Sequence, residues 1–179
     1  MIPCTTYHIY NHANGTENLF RENENYRYFL WLYKRHIQPI AKTYAFCLLP
    51  NHFHFLVSIK DIEELRVSFP KSETLEKEIL PKKLSKQFSN FFSAYTQAFN
   101  TRYNRKGSLF IKNYRRKPVE SVEQWQETFL YLHVNPVTHG FAREADQWLW
   151  GSWKAYLQQT TYSQIDRTEA LKYLTLLKT

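Results

Sequence analysis

Two apolar segments with a short turn between them constrain the fold of this chain more than any other feature. Residues 42–49 (KTYAFCLL) and 52–59 (HFHFLVSI) are rich in β-branched and aromatic residues, and only Pro50 and Asn51 separate them. Such segments predict strands, and strands joined by so short a connection pair as an antiparallel hairpin. The fold must therefore contain an antiparallel sheet built around this hairpin.

The segments on either side of the hairpin predict further strands and helices. Strands are indicated by β-branched and aromatic runs, and helices by apolar residues that recur every three to four positions. The resulting order, β-α-β-β-α-β, predicts an α+β fold of the ferredoxin-like split βαβ type, an antiparallel sheet with two helices on one face. The additional elements are a strand at 5–11, a helix at 24–38, a helix through 84–103 and a fourth strand at 108–119.

A third helix follows the predicted sheet. Ser121 and Gln124 have the spacing of a capping box at its start, and we expect it to end at Asn135 because Pro136 cannot continue a helix. We predict one domain at 1–157 with an insertion at 61–83, and a tail at 158–179 with a short helix near Leu171, Leu174 and Leu177. Four aromatic residues near the end of the domain are expected to pack back on it: Trp148, Trp150, Trp153 and Tyr156.

The composition favours a folded protein with an anionic partner. The 179 residues include 24 Lys and Arg against 16 Asp and Glu, a formal net charge of +8, and 17% of them are aromatic. This aromatic content excludes disordered and collagen-like chains, and the excess of positive charge indicates nucleic acid as the first candidate partner.

The sequence also predicts a cytoplasmic protein without a membrane partner. No apolar run approaches the roughly 20 residues that a spanning helix needs, and the first residues lack the pattern of a signal peptide. The two cysteines, Cys4 and Cys47, are too few for a disulfide scaffold and favour a reducing compartment.

His52 and His54 are two positions apart on a predicted strand, so their side chains lie on the same face. Two neighbouring imidazoles offer a two-point chelate for a metal ion. Half-buried histidines that bond to the backbone have the same pattern, and the pair alone does not decide between these interpretations. Phe53, Phe55 and Val57 point to the opposite face and are expected in the core.

Tyr131 and Asn135 are one turn apart on the third helix, on a face that flanks its apolar stripe. A phenol next to a carboxamide at this place is unusual if only packing matters, although a tyrosine with a satisfied hydroxyl is the ordinary case. His133 lies on the other side of the helix, so we expect it outside any site that Tyr131 forms.

Three other candidates are assigned structural or solvent-exposed positions. Tyr95 falls in the middle of the apolar stripe of the 84–103 helix and is predicted to be a core residue. His8 and His12 are interpreted as solvated loop histidines, with ligand binding as the less favoured alternative.

Seven cations and no acid occur between residues 102 and 117. Such a run can neutralise several phosphates while interleaved aromatic rings stack on bases. A solvated basic face is the alternative, and we expect contact with nucleic acid. The candidate DNA-binding residues are Arg102, Tyr103, Arg105, Lys106, Lys112, Tyr114, Arg115, Arg116 and Lys117.

Taken in chain order, several motifs resemble the single-tyrosine HUH transposases, and among them the REP-associated tyrosine transposases. The resemblance covers most of residues 5–157 and implies a ferredoxin-like fold that cleaves and rejoins single-stranded DNA next to a hairpin. The motifs are Tyr7-His8-Ile9-Tyr10-Asn11, Leu49-Pro50-Asn51-His52-Phe53-His54, Lys106-Gly107-Ser108-Leu109-Phe110, Tyr131-Leu132-His133-Val134-Asn135-Pro136, and Trp150-Gly151-Ser152-Trp153.

By position, the resemblance implies that Tyr131 is the nucleophile that forms a 5′-phosphotyrosine. It implies that His52, His54 and Asn135 bind Mg²⁺ or Mn²⁺, with Asn135 as a weak ligand because a neutral amide suits a hard cation less well. The implied partner is single-stranded DNA with a REP-like hairpin, bound by a monomer or homodimer in a bacterial cytoplasm. The family pattern does not require the segments 61–83 and 158–179, which could bind the hairpin, cover the site or make a dimer contact.

Two other functions fit the same residues. A non-catalytic binder of RNA or DNA could use this split βαβ fold, as RNA-recognition modules do. A metal hydrolase could use water in place of Tyr131. The Tyr131 and Asn135 face favours the tyrosine enzyme over the binder, which does not need such a face opposite His52 and His54.

Overall fold

Four strands and six helices are present in residues 1–69, 78–158 and 164–176, which this computed structural model describes. A 3₁₀ turn lies at Ala145–Gln147. The strands are β1 (Thr6–His12), β2 (Ala41–Leu49), β3 (His52–Ile59) and β4 (Arg115–Val119). The helices are α1 (Asn23–His36), α2 (Ile62–Ser68), α3 (Leu80–Arg102), α4 (Val122–Thr138), α5 (Trp153–Leu157) and α6 (Arg167–Thr175).

The strands form one antiparallel sheet in the order β2-β3-β1-β4. β2 and β3 form the predicted hairpin, with β2 at one edge of the sheet. β1 lies on the other side of β3, so the connection through α1 crosses over β3. This arrangement confirms the α+β fold and its split βαβ order. No helix within the described ranges is both long and apolar enough to span a membrane.

The main core lies between one face of the sheet and helices α1 and α3. Phe53 and Phe55 point to this face, as predicted, and both are almost fully buried. Phe53 stacks on Phe92 of α3, and Phe55 stacks on Tyr33 of α1 with ring centroids 4.3 Å apart. The strand period of two therefore places the phenylalanines of the hairpin in the core and leaves His52 and His54 on the other face.

Tyr95 is a core residue, as predicted, and is 1% exposed. Its hydroxyl donates a hydrogen bond of 2.5 Å to the carbonyl of Leu19. Replacement by phenylalanine would leave that carbonyl without its partner, so we expect the free energy of unfolding to fall by about 1 kcal/mol. Urea unfolding of Tyr95→Phe measures this change, and an unchanged free energy of unfolding would contradict the expectation.

A second, smaller core covers the opposite face of the sheet. Trp125, Phe129 and Leu132 of α4 pack there on Tyr44 and Leu56. Helix α6 adds Ala170 to this cluster, and α2 adds Leu65 to the main core. The sheet is thus held between helices on both faces, and α4 is fixed on the face that carries His52 and His54.

The aromatic residues after α4 also pack back on the domain, as expected. Trp150 stacks on Tyr26 of α1 with ring centroids 4.5 Å apart. Trp153 and Tyr156 contact Phe129 in the second core. Leu171 and Leu174 of the predicted final helix lie in α6, whereas Leu177 falls outside the described residues.

The prediction of a strand over 108–119 is wrong in its first part. β4 begins at Arg115, and Phe110 forms only an isolated bridge with Ala13. Asn113 has a φ of 64°, a left-handed conformation that interrupts an extended chain. Pro118 lies inside β4, which is possible because β4 is an edge strand and needs hydrogen bonds on one side only.

The predicted end of the third helix is also wrong, because α4 continues through Pro136 to Thr138. A proline removes one N–H donor, and the rest of the turn still forms. The amide of His139 donates to the carbonyl of Asn135 over 3.0 Å, and that of Phe141 donates to the carbonyl of Pro136 over 2.8 Å. Gly140, with a φ of 73°, then lets the chain turn away from the helix.

Candidate active site

A layer of histidines lies on the sheet face that α4 partly covers. In the register of β1 and β3, Tyr10 is opposite His54, and His12 is opposite His52. Cross-strand partners share a face, so the odd-even pattern of β1 adds His8 to the same layer. The interpretation of His8 and His12 as loop residues is wrong, since β1 extends to His12 and both rings contact the His52 and His54 pair.

Each histidine of the pair is held by a neighbour at its Nδ1 atom. His52 Nδ1 lies 2.7 Å from Asn51 Oδ1, and His54 Nδ1 lies 2.9 Å from His8 Nε2. The two rings of the pair are nearly perpendicular, with centroids 5.2 Å apart, and both side chains are buried. Their Nε2 atoms are therefore the ones left to face α4.

Helix α4 brings Tyr131 and Asn135 to this layer. The Tyr131 ring lies with its centroid 5.4 Å from that of His54, and Asn135 Oδ1 lies 3.3 Å from His52 Nε2. Asn135 is buried, whereas Tyr131 is 45% exposed and open to a large substrate. The four predicted residues of the site thus meet in one place, although they come from two elements about 80 positions apart.

His133 lies away from this place, as its angular position on the helix predicts. Its Nε2 atom is 2.7 Å from Ser152 Oγ, and its ring packs on Phe129 and Trp153 in the second core.

Burial lowers the pKa of three histidines of the layer, His8, His52 and His54, and so keeps them uncharged at neutral pH. Loss of hydration lowers the pKa of His52 to about 4, with a smaller contribution from the nearby His12. Loss of hydration and then the charge of Lys117 lower the pKa of His8 to about 4. The pKa of His54 is held well below its usual value, first by burial and then by the surrounding histidines. A neutral imidazole carries one N–H and one nitrogen lone pair, and the lone pair is what a metal ion requires.

The donor atoms of the site fit a divalent metal ion. His54 Nε2 and Asn135 Nδ2 are buried and form no hydrogen bond with any described residue. If the proton of His52 is on Nδ1 and is donated to Asn51, then His52 Nε2 and Asn135 Oδ1 are both acceptors, and a cation would relieve their repulsion. Within the described ranges there is no group of three His, Cys, Asp or Glu side chains arranged for a metal, so the set consists of two imidazoles and one amide.

Four residues near the pair are not among the site residues that the sequence predicted. They are His8, His12, Asn51 and His139, whose ring centroid lies 5.0 Å from that of His52. For His8 and His12, a signal does exist in the sequence. The alternation His8, Tyr10, His12 repeats the two-residue spacing of His52 and His54 and indicates a shared strand face. His139 lies just before the chain turn at Gly140, and no comparable spacing in the sequence predicts its contact with His52.

The basic run divides into two groups in the structure. Arg102 and Arg105 form ion pairs of 2.6 and 2.9 Å with Glu22 and Glu17, and the Tyr103 hydroxyl bonds to Glu22 and Asn25. At the end of α3, acids from another segment therefore neutralise Arg102 and Arg105 and hold the hydroxyl of Tyr103. The predicted stacking residue Tyr114 is partly buried against Phe88 and Phe92.

Strand β4 carries the second group at the edge of the sheet. Arg115 is opposite Tyr10 and Lys117 is opposite His8, so both lie on the histidine face. The Lys117 ammonium is 5.9 Å from the centre of the Tyr10 ring. Arg116 points to the other face, where its guanidinium donates to Ser85 Oγ over 2.6 Å. Lys106 and Lys112 are exposed on the connection that precedes this strand.

Comparisons with known proteins agree with this architecture. The fold is similar to that of a solved structure described as a REP-associated tyrosine transposase bound to a REP hairpin, with a TM-score of 0.61 and 14% identity, over 91% of this chain and 85% of that chain. No protein-family model and no curated protein sequence matches the chain. The likeness in fold that the sequence motifs predicted is confirmed.

Proposed function

We propose that this protein is a metal-dependent endonuclease and strand transferase for single-stranded DNA, with Tyr131 as its nucleophile. The observation that carries the proposal is the contact between the half-exposed phenol of Tyr131 and His54. In the same site, His54 Nε2 is buried and has no hydrogen-bond partner among the described residues. A protein that only bound nucleic acid would gain nothing from burying two imidazoles and an amide around a phenol.

The reaction begins with the Tyr131 oxygen. This oxygen attacks the scissile phosphorus, and the bond from phosphorus to the 3′ oxygen breaks. The fragment downstream of the cut is then joined to Tyr131 through its 5′ phosphate, and the upstream fragment leaves with a free 3′-OH. The phenol loses its proton and the leaving 3′ oxygen gains one, so the step is balanced. A different 3′-OH can attack the phosphotyrosine in the reverse sense, which restores Tyr131 and joins two strands without an external energy source.

His52, His54 and Asn135 would hold Mg²⁺ or Mn²⁺. When bound, the ion supplies positive charge at the scissile phosphate. The protein's own contribution is positional. Packing of Trp125 and Phe129 in the second core fixes α4 and with it the direction of Tyr131.

Arg115 and Lys117 are the DNA contacts that we propose closest to the scissile phosphate. Both are exposed and lie on the same face of the sheet as the histidines. We further propose that the substrate carries a hairpin, by analogy with the transposase of similar fold. Residues 1–157 would form the catalytic unit, and α2 and α6, which come from the segments 61–83 and 158–179, would be additions that extend its two cores.

Trapping a covalent adduct is the experiment that tests the proposal. A labelled single strand with a hairpin is incubated with the protein and Mn²⁺ or Mg²⁺, and the products are separated under denaturing conditions. We expect a protein band that carries the label and loses it on proteolysis. Cleavage without an adduct would indicate hydrolysis by water, and binding without cleavage would indicate a non-catalytic binder; either result would overturn the proposal.

His8 acts as a positioning residue in this proposal. His54 Nε2 offers its lone pair only if the proton of His54 is on Nδ1, and then His8 Nε2 must accept it across the 2.9 Å contact. Partners of this kind change metal affinity by about 10- to 100-fold.

We expect His8→Leu to weaken Mn²⁺ binding by about 10- to 100-fold. His8→Gln should stay close to the original affinity, because the glutamine oxygen can accept the same proton. Calorimetric titration with Mn²⁺ in the absence of DNA measures both variants. Equal affinities for the leucine and glutamine variants would show that His8 does not orient His54.

A further inference from the structure

A long basic stretch of the chain extends beyond the catalytic face. Residues 79–119 contain no Asp or Glu and ten Lys or Arg residues. This stretch forms α3, the connection that follows it and β4. It therefore places cations on both faces of the sheet at this edge, whereas Arg115 and Lys117 lie on the histidine face only.

On the side away from Tyr131, a groove of about 500 Å³ lies between α3 and the connection before β4. One wall is formed by α3 and includes Ser85, Ser89 and Thr96, whose hydroxyls donate to carbonyls one turn earlier in the helix. The other wall presents Lys112 and Arg116. We call this feature the α3 groove. A shallower depression continues it toward Lys82 and Lys86 and shares its serines and Arg116.

The cations of the α3 groove are uncompensated. Among the described residues, the ion pairs involve Arg21, Arg27, Lys42, Arg66, Arg102 and Arg105. Lys82, Lys86, Lys112 and Arg116 are all exposed and belong to none of these pairs. Arg116 donates one hydrogen bond to Ser85 Oγ, and its side chain stays exposed to solvent, where an anion can reach it.

The walls of the α3 groove suit a phosphate backbone better than unpaired bases. Single strands are bound through exposed aromatic rings on which their bases stack. The aromatic residues here do not offer such faces, because Phe92 and Phe110 are 7% and 6% exposed and Tyr114 packs on Phe88. Exposed cations without free rings beside them are typical of contacts to the backbone of a duplex, which carry no sequence information.

We propose that the α3 groove binds the phosphate backbone of the hairpin stem, while the single strand next to the stem passes the β4 edge to Tyr131. This inference rests on the proposed function, since it places a stem beside the strand that is cleaved. Adjacent residues of β4 allow the stem and the single strand to be bound on opposite faces of the sheet. Arg116 faces the groove and Arg115 and Lys117 face the histidines.

The test compares a hairpin with a 5′ single-stranded tail against the same tail without a stem. The variant Lys82→Gln/Lys86→Gln/Arg116→Gln removes three charges from the groove. The control Lys34→Gln/Arg35→Gln/Lys172→Gln removes three exposed charges elsewhere. Fluorescence anisotropy at several salt concentrations gives the affinity and its salt dependence for each protein and each DNA.

We expect the groove variant to bind the hairpin about tenfold or more weakly, and the slope of log affinity against log salt to fall by about 3. Its affinity for the stemless tail should change less than threefold, and the control should change neither. An equal loss on both DNAs, an equal loss in the control or an unchanged hairpin affinity would each overturn the inference.

Adduct formation by the unmodified protein on the hairpin DNA separates the two proposals. Absence of that adduct counts against the proposed nuclease, whereas the hairpin affinities alone decide whether the α3 groove binds a stem.

Discussion

Tyr131→Phe will abolish strand cleavage and adduct formation, with a loss of at least about a thousandfold, because the variant lacks the oxygen that forms the bond to phosphorus. Binding of a hairpin DNA should stay within about twofold, since no phosphate contact is removed. The variant should also fold normally. The Tyr131 ring is 45% exposed, and no hydrogen bond of its hydroxyl to a described residue is lost.

A labelled DNA substrate and a denaturing gel measure both cleavage and the adduct. Tyr28→Phe is a matched control, because Tyr28 is 40% exposed and lies on α1, on the other side of the sheet. We expect the control to cleave like the unmodified protein. A labelled adduct that persists in Tyr131→Phe would assign the nucleophile to another side chain and refute the mechanism.

The second large effect concerns the imidazole pair. His52→Ala and His54→Ala each remove one ring nitrogen from the proposed ligand set, and we expect each to reduce cleavage by a factor of about 100 or more. Their affinity for Mn²⁺ without DNA should fall in parallel. An increase in Mn²⁺ concentration should restore part of the cleavage, because the site is weakened rather than destroyed.

Two measurements keep this result interpretable. The unfolding midpoint in urea shows whether the variants fold, since His54→Ala also removes the partner of His8. His36→Ala, on α1 and outside the site, is the control for loss of an imidazole. If both active-site variants are folded and cleave DNA at the original rate, the pair has no part in the reaction.

Local patterns predicted the fold because the elements are strongly periodic. The alternation of phenylalanines and histidines in β3 fixed which side chains enter the core, and Phe53 and Phe55 are indeed buried. The two wrong boundaries each depend on a single residue. The predicted end of the third helix before Pro136 is wrong because the surrounding turn still closes, and the predicted strand over 108–119 is wrong in its first part because the left-handed backbone of Asn113 interrupts the extended chain.

Contacts between site residues that are close in the sequence could be predicted, whereas contacts between distant segments could not. Tyr131 and Asn135 are related by one helical turn, and His52 and His54 by one strand repeat, so each pair was accessible from spacing. His8 was not, because its contact with His54 depends on the register between β1 and β3. The neutralisation of Arg102 and Arg105 likewise depends on Glu17 and Glu22, which approach them only in the folded chain.

The position of α4 has a consequence for how the protein would operate at low abundance. Tyr131 lies against His54 of its own chain, so the nucleophile does not have to be delivered by a second copy. The rate of the first cut on bound DNA would then be independent of protein concentration. In the proposed mechanism, dilution of the protein would therefore limit encounter with the DNA rather than the chemistry.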